Sequence, residues 1–130
     1  MTLSHLCINV SSITKSVKFY TAALSSISYI KHTVYNDGKV VGYAPKDLPE
    51  GEEPAFWLFE NKAEVAQGLH YAFVAKEREE VDAFHKLGLK AGGTDNGKPG
   101  LRDIYGPHYY AAYLLDPDGI NVEVLCQKNV

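Results

Sequence analysis

The sequence predicts an α+β fold of two repeated βαβββ modules, with helices covering one face of a mixed sheet. Three observations lead there. First, "HLCINVSSITKSVKFYTAAL" from His5 and "HYAFVAKEREEVDAFHKLGL" from His70 superimpose at a shift of 65 residues, with His5 on His70, Ile8 on Phe73, Phe19 on Phe84 and Leu24 on Leu89. Second, each segment passes from an apolar strand into helical spacing, and turn-punctuated apolar runs follow. Third, 130 residues that are 45% hydrophobic can bury a sizeable core. One domain spans 1–130, with module 1 at about 1–62 and module 2 at about 67–130.

The elements follow in order. "HLCINV" is the first strand. In the first helix Ile13, Val17, Tyr20 and Leu24 recur at spacings of four, three and four, with Ser11 and Ser12 as candidate caps. "SYIKHTVY" and "KVVGYA" flank Asn36-Asp37-Gly38, a hairpin signal, and "AFWLFE" follows the polar loop "PKDLPEGEEP". Strand alternation puts Phe56 and Leu58 on one face, away from the helices, and Trp57 on the other, toward them. Module 2 begins with "LHYAFVAK" and a helix marked by Val81, Phe84 and Leu87 or Gly88. A short strand near Ala91, the long loop "GGTDNGKPGLRDIYGP" and the strand "HYYAAYLLD" come next. Asp116-Pro117-Asp118-Gly119 makes a β-turn, because Asp opens such turns, Pro presets φ and Gly suits the fourth position. The strand "INVEVLCQ" ends the module.

A net charge of −3 without long runs of like charge argues against nucleic acid and against an anionic membrane surface, which leaves a small molecule as the expected partner. "MTLSHLCINV" enters a strand at once, and no stretch approaches the ~18 apolar residues of a membrane span, so the chain is expected in the cytoplasm. Cys7 and Cys126 are expected as reduced core thiols, since two cysteines make no staple pattern.

Glu123 stands out as the one carboxylate in an apolar strand. It is either solvated at the rim or buried against a cation. Carried to the end of the chain, the shift of 65 sets Leu58 opposite Glu123 and Phe56 opposite Asn121. His5, His70, Leu58 and Glu123 then occupy four repeat-related positions in the first and last strands. Two His and one carboxylate with open positions suit iron(II), and also manganese, zinc or nickel. "NGKPGLRDIYGPHYY" gathers Arg102, Tyr105, His108, Tyr109 and Tyr110 ahead of a strand. Arg102 is placed to pair a substrate carboxylate and His108 to act as acid or base; the bland alternative is a surface loop whose tyrosines pack on the sheet edge. His32 and His85 fall at no repeat-related position and are expected at the surface.

At these residues the chain resembles the vicinal oxygen chelate superfamily, which includes glyoxalase I, bleomycin and fosfomycin resistance proteins and extradiol dioxygenases. The resemblance covers essentially the whole chain. It implies paired βαβββ modules that form a curved, cup-shaped mixed sheet with helices on its outer face, with metal ligands His5, His70 and Glu123 and with Leu58 where glyoxalase-type enzymes carry a fourth ligand. Tyr113, then Asp116-Pro117-Asp118-Gly119, then Glu123 is similar to the extradiol signature, and Gly106-Pro107-His108 supplies its Gly-x-His. The spacing from His108 to Tyr113 is shorter than in that pattern. "FW" in the fourth strand and "GGxxNGxPGLR" ahead of "YY" are also similar to small proteins of this superfamily. The implied function is a metal-dependent enzyme that chelates a substrate through vicinal oxygens, with dioxygenase-like or lyase/isomerase-like chemistry. His108 and Tyr113 would handle protons, Phe56, Leu58, Arg102 and Tyr110 would contact substrate, and the protein would be a homodimer. The alternative is a metal-free sequestering protein of the bleomycin-resistance type, its cup lined by Phe56, Leu58, Tyr110 and Tyr113.

Overall fold

The computed structural model describes residues 3–129. Module 1 contains β1 (Leu6–Val10), α1 (Ile13–Ser25), β2 (Tyr29–Tyr35), β3 (Val40–Pro45) and β4 (Phe56–Glu60). Module 2 contains β5 (His70–Val74), α2 (Arg78–Lys90), β6 (Thr94–Leu101), β7 (Tyr110–Leu115) and β8 (Asn121–Cys126). Each module forms a four-stranded mixed sheet, in the orders β1-β4-β3-β2 and β5-β8-β7-β6. First and last strands pair in parallel and the other pairs are antiparallel. Among the described residues no helix is long and apolar enough to cross a membrane.

Local chemistry sets the helix starts. Ser12 caps α1, its hydroxyl accepting from the Lys15 amide at 3.3 Å, and the Glu60 carboxylate accepts from the Ile13 amide at 3.0 Å. In α2, Glu77 and Glu80 form a capping box. The β2–β3 hairpin turns through Asn36 and Asp37, both at φ 52°, residue types that tolerate the left-handed region.

Both modules bury the helix-covered faces of their sheets in one core. Phe19 and Phe84, the repeat partners on the two helices, are fully buried. Phe56 of β4 packs on Tyr20 of α1 at 5.0 Å and reaches across to Tyr71 and Phe73 of β5 at 5.3 and 5.4 Å. A polar joint sits inside this apolar seam. Tyr20 of α1 donates to the Asp116 carboxylate at 2.7 Å and also meets the Tyr71 hydroxyl, while the Asp118 and Ile120 amides donate to the other Asp116 oxygen. Asp118 accepts from the amide and hydroxyl of Ser11, which precedes α1. The Asp-Pro-Asp-Gly turn thus does more than reverse the chain; it fastens module 2 to the first helix of module 1.

The strand register corrects the expected faces. Leu6 pairs with Phe56 and Tyr71 with Val122, so the repeat offset is 65 in the first strands but 66 in the last. The counterpart of Glu123 is therefore Trp57, not Leu58. Because side chains alternate with period two, one residue of slip moves a whole strand to the other face. Phe56 and Leu58, at 1% and 0% exposure, belong to the core under the helices and do not line the cup, whereas Trp57 faces away from the helices. Tyr110 likewise turns to the helix side, donating to Asp82 of α2 at 2.6 Å under the Arg78 guanidinium.

Four further expectations change. Residues 94–101, expected as loop, form β6, an edge strand whose register shifts around Gly97 accommodate Gly and Pro99. No strand forms at Ala91, which is the C-cap of α2. His85 is buried because it pairs with Asp95 of β6 at 2.8 Å, and Cys7 is exposed because it shares the face of Trp57. Cys126 is buried, as expected.

Burial raises the Asp116 pKa, and the bond from Tyr20 pulls it back down. A raised folded-state pKa means that the carboxyl's contribution to stability is complete below the unfolded carboxylate range and is lost as pH rises through the raised value. Tyr20→Phe removes one donor from the ionised carboxylate, so it is expected to cost about 1–3 kcal/mol near pH 7 and less near pH 4, where the group is protonated. Thermal melts of both proteins at the two pH values test this; equal deficits would rule out an ionised Asp116 as the source.

Candidate functional site

With one face of each sheet committed to the core, two open faces remain. On module 2, β5, β8 and β7 run side by side, and their pairing sets Ala72 beside Glu123 and Glu123 beside Tyr113. His70 lies one alternation earlier on β5. Its Nε2 is 3.0 Å from Glu123 Oε1, and Tyr109 donates to the other carboxylate oxygen at 2.5 Å. Glu123 is 3% exposed, so it is not solvated at the rim.

The second ring nitrogen of His70 decides the electrostatics. Nδ1 lies 3.0 Å from the backbone oxygen of Asn121, which only accepts, so Nδ1 carries a proton. In the neutral tautomer, Nε2 then turns a lone pair toward a carboxylate oxygen that also only accepts. A second proton on the ring, or a cation between the groups, relieves that opposition. Fixing a ligating ring through its far nitrogen is how metal-binding histidines are usually oriented.

Two phenols border the pair. Burial and then the charge of Glu123 push the Tyr113 hydroxyl up to about 12, while the nearby Arg102 charge lowers it. Tyr109 is also raised, by burial and by its bond to Glu123. Arg102 lies over the Tyr113 ring at 5.3 Å and donates to the carbonyls of Gly100 and Lys98 at 2.8 and 2.7 Å. Gly97 makes this stack possible: a Cβ there would come within 2.7 Å of the Tyr113 ring. His108 occupies the turn one residue before Tyr109.

His5 stands apart, on the open face of module 1. It shares with Cys7, Tyr35, Trp57 and Phe59 a depression of about 520 Å³ whose lining includes no residue of module 2. Among the described residues no three His, Cys, Asp or Glu side chains gather closely enough to hold a metal ion. One chain therefore unites His70 with Glu123 and leaves His5 on the other open face. Two residues have roles that the sequence did not assign: Tyr109, expected only as one of the loop cluster, and Trp57, expected toward the helices. Tyr109 was legible as lying four residues before Tyr113, in the approach to β7, and Trp57 was hidden by the offset of 66.

The family model described as the glyoxalase/bleomycin resistance protein/dioxygenase superfamily matches residues 2–124. No curated protein matches the chain in sequence. A glyoxalase/bleomycin resistance protein from Albidiferax ferrireducens T118 is similar at 29% identity and a TM-score of 0.74, covering 95% of this chain and 96% of that one. A glyoxalase/bleomycin resistance protein/dioxygenase family enzyme from Burkholderia phytofirmans PsJN shares the fold at 18% identity and a TM-score of 0.71, covering 98% and 100%. The V278E mutant of glyoxalase I from Zea mays shares it at 19% identity and a TM-score of 0.69; the match covers 95% of this chain but 45% of the maize chain.

The carbonyl contacts and ring stacking of Arg102 make it a brace for the 94–101 edge. Arg102→Ala is expected to cost about 1–2 kcal/mol, against about 0.5 for an ordinary surface change. Urea unfolding measures the difference, and a loss within the surface range would leave the brace without energetic content.

Proposed function

Because the chain belongs to the glyoxalase/bleomycin resistance protein/dioxygenase superfamily, we propose that it is a small-molecule enzyme of the vicinal oxygen chelate type, using a divalent metal held by His70, Glu123 and His5. The observation that carries this reading is the facing of His70 Nε2 and Glu123 Oε1 at 3.0 Å while Nδ1 is tied to a carbonyl. Imidazole and carboxylate suit iron(II), manganese, zinc or nickel. His5 is supplied by a second copy, so the functional unit is a homodimer in which the open face of module 1 in one protomer meets that of module 2 in the other.

A bound cation would supply Lewis acidity toward two adjacent substrate oxygens. The chain's own groups do the rest. Tyr113, its hydroxyl held near 12, keeps its proton at neutral pH and donates to a substrate oxygen. His108, beside Tyr109 in the turn, is the acid or base that accepts or returns a proton. Tyr109 holds the Glu123 carboxylate in place.

One observation favours the second reading, a metal-free small-molecule binding protein. Glu123 already has His70 and Tyr109 as partners, and the depression on module 1 is largely apolar. With a protonated His70 the pair needs no metal.

A mixing experiment separates these readings. His5→Ala and Glu123→Ala are each expected to lose stoichiometric metal while staying folded. After unfolding and refolding together they are expected to recover about a quarter of the wild-type content, since half of the randomly formed dimers are mixed and each has one intact site. Elemental analysis of tag-free protein reads the result. Metal retained by Glu123→Ala would exclude the site, and a mixture without recovery would exclude sharing between copies.

A further inference from the structure

Three consecutive residues of β6, Asp95, Asn96 and Gly97, reach into α2, β8 and β7. The pairing of β6 with β7 runs from Asp95 with Leu114 to Gly97 with Tyr113, so Asn96 is the extra residue of a β-bulge. The bulge reverses the alternation of faces. Asp95 stands on the helix side, where its Oδ1 meets Nε2 of His85 at 2.8 Å, and Gly97, two residues on, lies against Tyr113 on the open face. An unbroken register would set Asn96 opposite Tyr113 instead, and even a Cβ at Gly97 would crowd that ring.

One carboxylate oxygen holds the bulge. Asp95 Oδ1 accepts from the Gly97 amide at 3.0 Å, the bond to the backbone two residues on that Asp side chains favour, and the same oxygen accepts from His85 Nε2. A carboxylate only accepts, so Nε2 carries a proton whatever the state of Nδ1. The His85 bond, ahead of the Gly97 amide, keeps the Asp95 carboxyl below its ordinary pKa. His85 is buried on α2 and Asp95 is exposed, so the helix layer supplies the fixed half of the pair. Two arms lead from the bulge toward His70 and Glu123. Asn96 Nδ2 donates to Asn121 Oδ1 at 3.1 Å, and the Asn121 carbonyl is the one that orients His70 through Nδ1. Beyond Gly97, the strand offers the Lys98 and Gly100 carbonyls to Arg102, whose guanidinium covers the ring of Tyr113, the β7 neighbour of Glu123.

We propose that His85 is a positioning residue for this centre: through Asp95 it clamps the bulge of β6, and the bulge fixes the Arg102–Tyr113 stack and the Asn121 side chain on the far side of the sheet. That the centre is the working one rests on the function proposed above. The clamp itself needs no metal. It joins the helix layer to the open face through a short run of direct contacts, each with a donor and acceptor or a packed ring.

The test is NMR on the metal-free protein. A ring under the guanidinium displaces the Arg102 Nε–H resonance, and Tyr113→Leu supplies its unstacked position; the Gly97 amide resonance reports the bond to Asp95. His85→Leu removes the donor, His85→Gln keeps an N–H at similar reach, and Asp95→Ala removes the acceptor at an exposed position. Val81→Ala loosens the buried side of α2 without removing a donor. His85→Leu and Asp95→Ala are expected to move the Gly97 amide and to carry Arg102 toward its Tyr113→Leu position, while His85→Gln and Val81→Ala leave both near the wild type. Arg102 unmoved in His85→Leu and Asp95→Ala would overturn the clamp. So would an equal displacement in Val81→Ala, which would mean general loosening of the helix, or a His85→Gln protein that behaves as His85→Leu does. Should His85→Leu fail to fold, Asp95→Ala compared with Val81→Ala decides by the same criterion. The metal content of Glu123→Ala, measured separately, reports on the metal reading, so the two fail independently.

Discussion

The pairing register of the last strand in each module governs the molecule. In β4 and β8 a side chain either enters the common core or stands on an open face, and alternation allows no compromise. The pairs Leu6 with Phe56 and Tyr71 with Val122 send Phe56, Leu58, Val122 and Val124 into the core. The same pairs leave Trp57 and Glu123 on the open faces. Joining the modules through their helix-covered faces, with Phe56 against Tyr71 and Phe73 at the seam, keeps His5 from the His70–Glu123 pair within one chain.

A buried carboxylate on an open sheet face is costly unless its neighbours satisfy it. Glu123 has an imidazole and a phenol in contact and a second phenol beside it, all placed by strands or by the turn leading into β7. The Asp116 joint is of the same kind, a buried carboxylate supplied with donors from both modules. The two carboxylates differ in surroundings: Asp116 is enclosed at the seam, whereas His70, the partner of Glu123, is half exposed and accessible to a ligand.

Much of this was legible in the sequence because local signals agreed with one another. The repeat of strand and helix, the Asn-Asp-Gly hairpin and the Asp-Pro-Asp-Gly turn each have a local physical cause, and they place His5, His70 and Glu123 at strand positions. The face of β4 was not legible. Phe56, Trp57 and Leu58 are all apolar, so alternation leaves no trace, and one extra residue inside module 2, between its first and last strands, shifts the comparison by one. The 94–101 strand was concealed by its glycines and Pro99, which an edge position tolerates. His85 carries no local sign of its pairing with Asp95, which arises when β6 returns beside α2.

The most direct measurement is anomalous diffraction from crystals grown with manganese or cobalt. The expected result is one ion per open-face junction, about 2.0–2.2 Å from His70 Nε2, from a Glu123 oxygen and from the His5 imidazole of a second copy. Crystals with full metal occupancy elsewhere, or with an ion ligated by His5 and Glu123 of the same chain, would contradict it.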